Sequence, residues 1–161
     1  MKHILLMRHA KSDWNSERLN DHERPLNKRG IHDAPKIAAE IIKKGIIPEL
    51  MLVSDAKRTQ ETWNLISPFF TGVKTKFDAE LYLASPKIIE TKLEEVHHLV
   101  DTVLLLAHNP GITEAFYSLA NVQIDNVPTA GVGCIRLYTD DFKNIKTCKK
   151  ELVYFTYPKN L

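Results

Sequence analysis

The sequence predicts an α/β fold in which a mainly parallel central sheet carries helices on both faces, as a three-layer sandwich. Short apolar runs recur at residues 4–7, Leu50–Ser54 and Thr102–Ala107, and each stops at polar residues. Strands that are buried on both faces have this continuous apolar character. Segments with apolar residues at three- and four-residue spacing lie between the runs, and such alternation of strands with helices is typical of a parallel sheet.

Length and composition bound the class of protein. A chain of 161 residues suits one domain, so we expect residues 1–161 to form a single domain. The net charge of +2 is too small to indicate nucleic acid or a membrane surface as a partner, and no run approaches the roughly 18 to 20 apolar residues of a membrane span. The two cysteines, Cys134 and Cys148, are too few for a disulfide framework, which favours a reducing cytosol. We expect a cytoplasmic monomer.

The first helix has the clearest signals at its ends. Apolar residues recur at helical spacing over Lys28–Lys44, after Asn27 as a candidate N-cap and before Gly45 at the position of a C-terminal glycine. Pro35 lies inside this pattern and predicts either a kink or a later start.

The other elements follow from the same cues. The opening strand leads into a polar loop over 10–24, and Ser85 followed by Pro86 predicts the start of a helix. In chain order we predict a strand at Leu50–Ser54, a helix at 56–70 capped by Asp55, a strand at 73–77, a loop at 78–83, a helix from Pro86 to about His98, a strand at Thr102–Ala107, a helix at 112–120, and two strands, possibly antiparallel, at 131–138 and 152–157.

Three of the predicted strands are followed by side chains that suit a phosphoryl group. Arg8 and His9 follow the first strand, Ser54 leads to Arg58 after the second, and His108 follows the fourth. Because the carboxyl ends of parallel strands share one edge, we expect these groups to converge. Guanidinium groups bind phosphate oxygens bidentately and stabilise the charge that develops during phosphoryl transfer. The sequence therefore predicts a phosphoryl site at this edge.

His9 is the predicted nucleophile of that site. Histidine attacks phosphorus as the neutral imidazole, and neighbouring guanidinium groups disfavour the imidazolium form. The sequence has no Walker A or glycine-rich nucleotide fingerprint, so phosphate is the transferred group and not the handle of a nucleotide. We expect His9 to take the phosphoryl group and water to remove it, with Glu80 as the proton donor and Asp78 in reserve. We predict no metal and no cofactor.

These residues resemble the signature of the histidine phosphatase superfamily, which also contains the cofactor-dependent phosphoglycerate mutases. The family's Arg-His-Gly stands here as Arg8-His9-Ala10, with Ser12 and Asn15 in register. Ala10 adds a Cβ where the backbone approaches the phosphate. The resemblance runs in order to about Gly131, through Arg24-Pro25-Leu26-Asn27 with Gly30, Ser54 with Arg58-Thr59 and Thr62, Ala79-Glu80-Leu81, and His108-Asn109.

The resemblance implies a phosphoglycerate mutase-like fold and a role for each matched residue. The short chain looks most like the compact SixA branch, the phosphohistidine phosphatases, and its lack of residues for a lid implies an open site that accepts phosphate on a protein surface. His9 would be the phosphorylated residue, Arg8, Arg58 and His108 the phosphate pocket, Ser12, Asn15 and Asn109 further phosphate or substrate contacts, and Glu80 the acid.

Three other functions stay open. A phosphatase of small phosphate esters, or a mutase-like enzyme, would need a more closed pocket with further basic groups. A non-catalytic module that binds phosphate or a phosphoprotein would need the arginines but not His9. A metal-dependent hydrolase is the weakest alternative, because the arginines beside His9 and His108 would repel a divalent cation.

Overall fold

A computed structural model of the protein describes residues 1–15 and 19–161. Residues 16–18 of the predicted loop over 10–24 lie outside the described residues. The strands of the described chain are β1 (Lys2–Arg8), β2 (Leu50–Ser54), β3 (Lys74–Asp78), β4 (Thr102–Ala107), β5 (Val132–Leu137) and β6 (Lys150–Thr156), and the helices are α1 (Lys28–Lys44), α2 (Lys57–Ile66), α3 (Pro86–Glu94) and α4 (Gly111–Ala120).

The strands form one sheet in the order β3-β2-β4-β1-β5-β6. β1 and β2 both pair in parallel with β4, and β3 pairs in parallel with β2. The last two strands are antiparallel, β5 to β1 and β6 to β5. The predicted α/β fold with a mainly parallel sheet is therefore confirmed. In this order the carboxyl ends of β2, β4 and β1 lie side by side.

The core has two apolar layers, one on each face of the sheet. Ile4 and Leu6 of β1 belong to the layer beneath α3 and α4, whereas Leu5 and Met7 belong to the layer beneath α1 and α2. All four side chains are fully buried. Successive side chains of a strand point to opposite faces, so the uninterrupted apolar run fills both layers at once. The arrangement is the predicted three-layer sandwich.

Helix α1 has both of its predicted ends. The Asn27 side chain accepts a hydrogen bond from the Gly30 amide at 2.9 Å, and Gly45 adopts a φ of +80°. The prediction that Pro35 delays the start is wrong, because the helix is continuous from Lys28. Pro35 lacks the amide that would bind the carbonyl of Ile31, and Ile31 lies on the exposed side of the helix, where solvent replaces that bond.

Helices α2 and α3 are shorter than predicted. α2 ends at Ile66, before a 3-10 turn that contains Pro68, and Asp55 does not cap it because the Asp55 carboxylate binds His22 Nε2 at 2.8 Å. α3 ends at Glu94, because the amide of Val96 turns back to the Leu93 carbonyl in a tighter three-residue bond. No helix of the described residues has the length and apolar content needed to cross a bilayer.

Gly111, at the first position of α4, is predicted to be required for folding. An added Cβ would lie 1.9 Å from the carbonyl oxygen of Ala84, so Gly111→Ala forces α4 away from the segment before α3. We expect a loss of at least about 2 kcal/mol in the free energy of unfolding, measured by urea titration. Gly45→Ala is the matched control, since only its positive φ opposes a Cβ there, at a cost of about 1 kcal/mol. A Gly111→Ala variant as stable as the wild type would contradict this packing.

Candidate active site

The carboxyl edge of the sheet carries a polar pocket of about 200 Å³. β1 delivers Arg8 and His9, the first turn of α2 delivers Arg58, and the residue after β4 is His108, so the four central residues of the predicted phosphate site do converge. Among the described residues the lining comprises Arg8, His9, Lys11, Ser12, Trp14, Asp21, Arg24, Arg58, Leu83, His108, Asn109 and Thr129.

His9 is held in one tautomer. Its Nδ1 lies 2.7 Å from the carbonyl oxygen of Ala10, which can only accept, so Nδ1 carries the proton. Arg58 Nε then donates to the unprotonated His9 Nε2 at 3.3 Å. Burial lowers the pKa of His9 well below its usual value. The hydrogen bond to Ala10 raises this pKa, whereas His108 and the two arginines lower it further. The imidazole is therefore neutral near pH 7, with the lone pair of Nε2 beside a guanidinium.

Arg58 is held in place by Asp21. Its Nη1 donates to the Asp21 carbonyl at 2.7 Å and its Nη2 to the carboxylate at 3.0 Å. The same carboxylate accepts hydrogen bonds from Tyr82 and from Arg24. Burial opposes ionisation of Asp21, but the hydrogen bonds from Tyr82 and Arg58 outweigh it and lower its pKa to about 2. Asp21 is an anchor for arginine that stays ionised, and it is a poor proton donor at neutral pH.

Arg8 and His108 keep polar atoms without partners. Arg8 Nη1 donates to the Val127 carbonyl at 3.0 Å, while its buried Nε has no partner in the described part of the chain. His108 Nε2 lies 2.7 Å from Ser54 Oγ, and His108 Nδ1 is also buried without a partner there. Burial, then Arg58, lowers the pKa of His108 to about 3. Fixed cations with unused donors suit an anion rich in oxygen acceptors.

The three further predicted contacts fall in different places. Ser12 lines the pocket, but its Oγ already accepts from Arg24 Nη1 at 2.9 Å. Asn109 also lines the pocket, and its side chain is occupied by Val127, Asn126 and Thr113. Asn15 does not line the pocket and lies in the groove beside it. The backbone at Ala10 is no obstacle, since its side chain is buried in the apolar layer beneath α1.

Glu80 is not brought to the pocket. Its side chain is 71% exposed, and its carboxylate pairs with Lys92 Nζ at 2.7 Å. The reserve acid, Asp78, binds the same lysine at 2.9 Å. Asp78 ends β3 and Glu80 lies two residues beyond it, and β3 is the edge strand beyond β2, so both carboxylates lie farther from β1 than the ends of β2 and β4 do. The geometry does not support either carboxylate as the proton donor.

Five polar or aromatic lining residues were not predicted as site residues, and one of them, Thr129, lies shortly before β5. Lys11, Trp14, Asp21 and Arg24 all come from the loop after β1, which has no periodicity that would indicate where its side chains point. Arg24 carried a signal, since it opens the segment Arg24-Pro25-Leu26-Asn27 of the resemblance. Its guanidinium lies 3.4 Å from the centre of the Trp14 ring, a cation–π contact that fixes both side chains.

Comparisons with known proteins place the chain among similar sequences and structures. The family model described as histidine phosphatase superfamily (branch 1) matches residues 4–97. An uncharacterized chloroplastic protein of Arabidopsis thaliana is 31% identical over 134 residues, which are 76% of this chain and 61% of that protein. The chain thus spans less than two thirds of that relative's length.

Solved structures share the whole fold. A protein described as a phosphohistidine phosphatase SixA from Agrobacterium tumefaciens superposes with a TM-score of 0.85 at 23% identity, covering 98% of both chains. A protein histidine phosphatase SixA complexed with tungstate gives 0.84 at 18% identity, again over 98% of both chains. At these identities the likeness establishes the fold, which is the fold predicted from the resemblance.

The buried neutral His108 predicts loss of stability in acid. Histidine in an unfolded chain has a pKa of about 6.5, and the pKa of His108 in the fold is about 3. Between these values the unfolded state binds more protons, so the free energy of unfolding falls as the pH drops from 6.5 towards 3. We expect His108→Gln to flatten the pH dependence between pH 6 and 4.5 by about 1 kcal/mol per pH unit. Parallel curves for the two proteins, from urea titrations at each pH, would contradict this role of His108.

Proposed function

The chain belongs to the histidine phosphatase superfamily, and on that premise we propose that it hydrolyses a phosphoryl group through a covalent phosphohistidine on His9. The observation that carries the proposal is the state of His9. Its Nδ1 is committed to the Ala10 carbonyl, and its Nε2 lone pair lies in a pocket with Arg8 and Arg58. A module that only binds phosphate has no need of a nucleophile in this state.

In the first step His9 Nε2 attacks phosphorus, and the bond from phosphorus to the leaving group breaks. Nδ1 keeps its proton and its hydrogen bond to the Ala10 carbonyl, and this bond stabilises the positive charge that forms on the ring. Arg58 Nε, which contacts Nε2 in the free protein, moves its hydrogen bond to a phosphoryl oxygen. In the second step water attacks phosphorus and the bond to Nε2 breaks. Inorganic phosphate, which takes both protons of the water, leaves the pocket, and His9 is again the neutral imidazole with its proton on Nδ1.

His108 is proposed to donate a hydrogen bond to the phosphoryl group. Ser54 Oγ accepts from the Ala56 amide at 3.3 Å, which leaves its own proton for His108 Nε2. Nδ1 of His108 then carries the ring proton and has no other partner in the described residues. Together with the unused Nε of Arg8, this supplies fixed donors to the oxygens on which negative charge grows.

The substrate class follows from the missing acid. An alcohol leaves phosphorus slowly unless it receives a proton, whereas the imidazole of a phosphohistidine leaves as a neutral base once its other nitrogen is protonated. No carboxylic acid in the described residues is placed to protonate the leaving group, since Asp21 is ionised and Glu80 pairs with Lys92. We therefore propose phosphohistidine in a protein as the substrate. The tungstate bound by the SixA of the same fold is an oxyanion, as phosphate is.

A small phosphate ester is the second candidate. Lys11 lines the pocket beside the arginines and makes no ion pair within the described part of the chain, so it is free to bind a second acidic group of such a substrate. Comparing turnover of a phosphohistidine protein and of a small ester decides between them. A single-domain monomer in the cytoplasm, without nucleic-acid or membrane partners, stays our prediction.

His9→Ala is expected to abolish both covalent labelling and turnover. Rapid quenching of the wild type with a phosphohistidine protein or an aryl phosphate should trap an acid-labile, base-stable phosphoryl label. The variant should give none, with turnover lower by at least about a thousandfold. His98→Ala, an exposed histidine outside the pocket, is the control and should label as the wild type does. If the wild type bound phosphate but gave neither a label nor turnover, the proposed enzyme function would be contradicted and the function of a phosphate-binding module would take its place.

Glu80→Gln is expected to leave kcat/KM for an aryl phosphate within about twofold of the wild type, because an exposed carboxylate paired with a lysine contributes little. Arg58→Gln, measured in the same assay, should lose at least about a hundredfold through the missing charge on the phosphoryl oxygens. A loss for Glu80→Gln as large as for Arg58→Gln would restore Glu80 as the acid.

A further inference from the structure

A second depression adjoins the phosphate pocket. This flanking groove has a volume of about 600 Å³. Three residues, Lys11, Ser12 and Trp14, line both the groove and the phosphate pocket. A substrate whose phosphoryl group lies against His9 therefore has a continuous surface on which to place the groups next to it.

The flanking groove is positively charged. Of the residues that the structure describes, Lys11, Lys28 and Arg29 line it, against the single carboxylate of Asp13. Neither Lys11 nor Lys28 forms an ion pair with any described residue, and Arg29 has only a contact of 3.4 Å to Asp33. These cations are available to an acidic ligand.

Two of these cations lie at the end of α1 where the helix dipole is unfavourable to positive charge. Lys28 and Arg29 occupy the first turn of α1, which contains no acidic residue. The helix dipole places partial positive charge at this end, so cations here are unfavourable and acidic residues would be favourable. The dipole of α1 therefore disfavours both cations, Asp33 one turn later compensates only Arg29, and a negatively charged partner would compensate both.

The groove also has an apolar floor. The Trp14 side chain is 70% exposed although the Arg24 guanidinium holds it in position, and Ile31 beside it is 52% exposed. Exposed aromatic rings that are already fixed in position lose little conformational freedom on binding. The groove thus combines cations with a rigid apolar contact.

We infer that the flanking groove binds the acidic polypeptide segment next to the phosphorylated residue of a protein substrate. The inference rests on the proposed function and adds the charge of the partner to it. Carboxylates of the segment would pair with Lys11, Lys28 and Arg29, and an apolar side chain would lie on Trp14. Such complementarity speeds association and selects among partners.

The test compares two peptides that carry the same non-hydrolysable phosphonate analogue of phosphohistidine. One has aspartates flanking the analogue, and the other has asparagines at the same positions. Fluorescence anisotropy gives the Kd of each peptide for the wild type, for Lys28→Glu/Arg29→Glu, and for the matched control Lys36→Glu/Lys43→Glu. The control changes the net charge equally on the same helix, but neither of its lysines lines the groove.

We expect the wild type to bind the acidic peptide about tenfold more tightly at low salt, with the preference shrinking as salt rises. The groove variant should lose the preference and the control should keep it. Equal binding of both peptides by the wild type, or equal loss in both variants, would overturn the inference. Turnover of an aryl phosphate is a separate readout of the proposed function, because Lys28 and Arg29 do not line the phosphate pocket. If the wild type did not turn over the aryl phosphate, the proposed phosphatase function would be contradicted, and the comparison of peptide binding would still stand.

Discussion

The hydrogen bond from Arg58 Nε to His9 Nε2 is the contact on which the site depends. It joins His9, which follows β1, to Arg58 of α2, which follows β2. In the sheet, β4 lies between β1 and β2. The register brings them level, because Leu6 of β1 and Leu52 of β2 both pair with Leu105 of β4. A slip of one residue in either pairing would turn the side chains to the opposite face. The buried apolar runs that fix this register therefore also align the catalytic groups.

The same contact sets the chemical state of the histidine. A guanidinium cannot accept a hydrogen bond, so it selects the imidazole with an unprotonated Nε2. Burial and the neighbouring positive charges then keep that form neutral. The cost of placing Arg8, Arg58 and two histidines together is offset in the free protein by Asp21, the one carboxylate among the described residues that line the pocket. An oxyanion in the pocket would supply the charge that this cluster lacks.

The site residues at the ends of strands could be predicted from the sequence. Most of the site residues in loops could not. Arg8, His9 and His108 could be predicted because each lies at the carboxyl end of a buried strand or directly after it, where the direction of the chain fixes the edge. Asp21 and Trp14 could not, because a polar loop without periodicity does not show which side chains return to the site. Glu80 was predicted as the acid because it follows a short strand on the same edge of the sheet, but that strand, β3, is separated from β1 by β2 and β4, and sheet order cannot be read from a single sequence. The helix ends at Ile66 and Glu94 were missed because short turns end these helices, a 3-10 turn containing Pro68 after α2 and a three-residue bond from the Val96 amide to the Leu93 carbonyl after α3.

The most direct test of the account is to identify which nitrogen of His9 carries the phosphoryl group. Trapped phosphoenzyme labelled with nitrogen-15 in histidine would be examined by phosphorus and nitrogen NMR, where coupling across the P–N bond assigns the site. The hydrogen bonds at His9 predict phosphorus on Nε2, with Nδ1 still protonated and bound to the Ala10 carbonyl. Phosphorus on Nδ1, or on His108, would contradict the account, because the contact with Arg58 would then not mark the nucleophile.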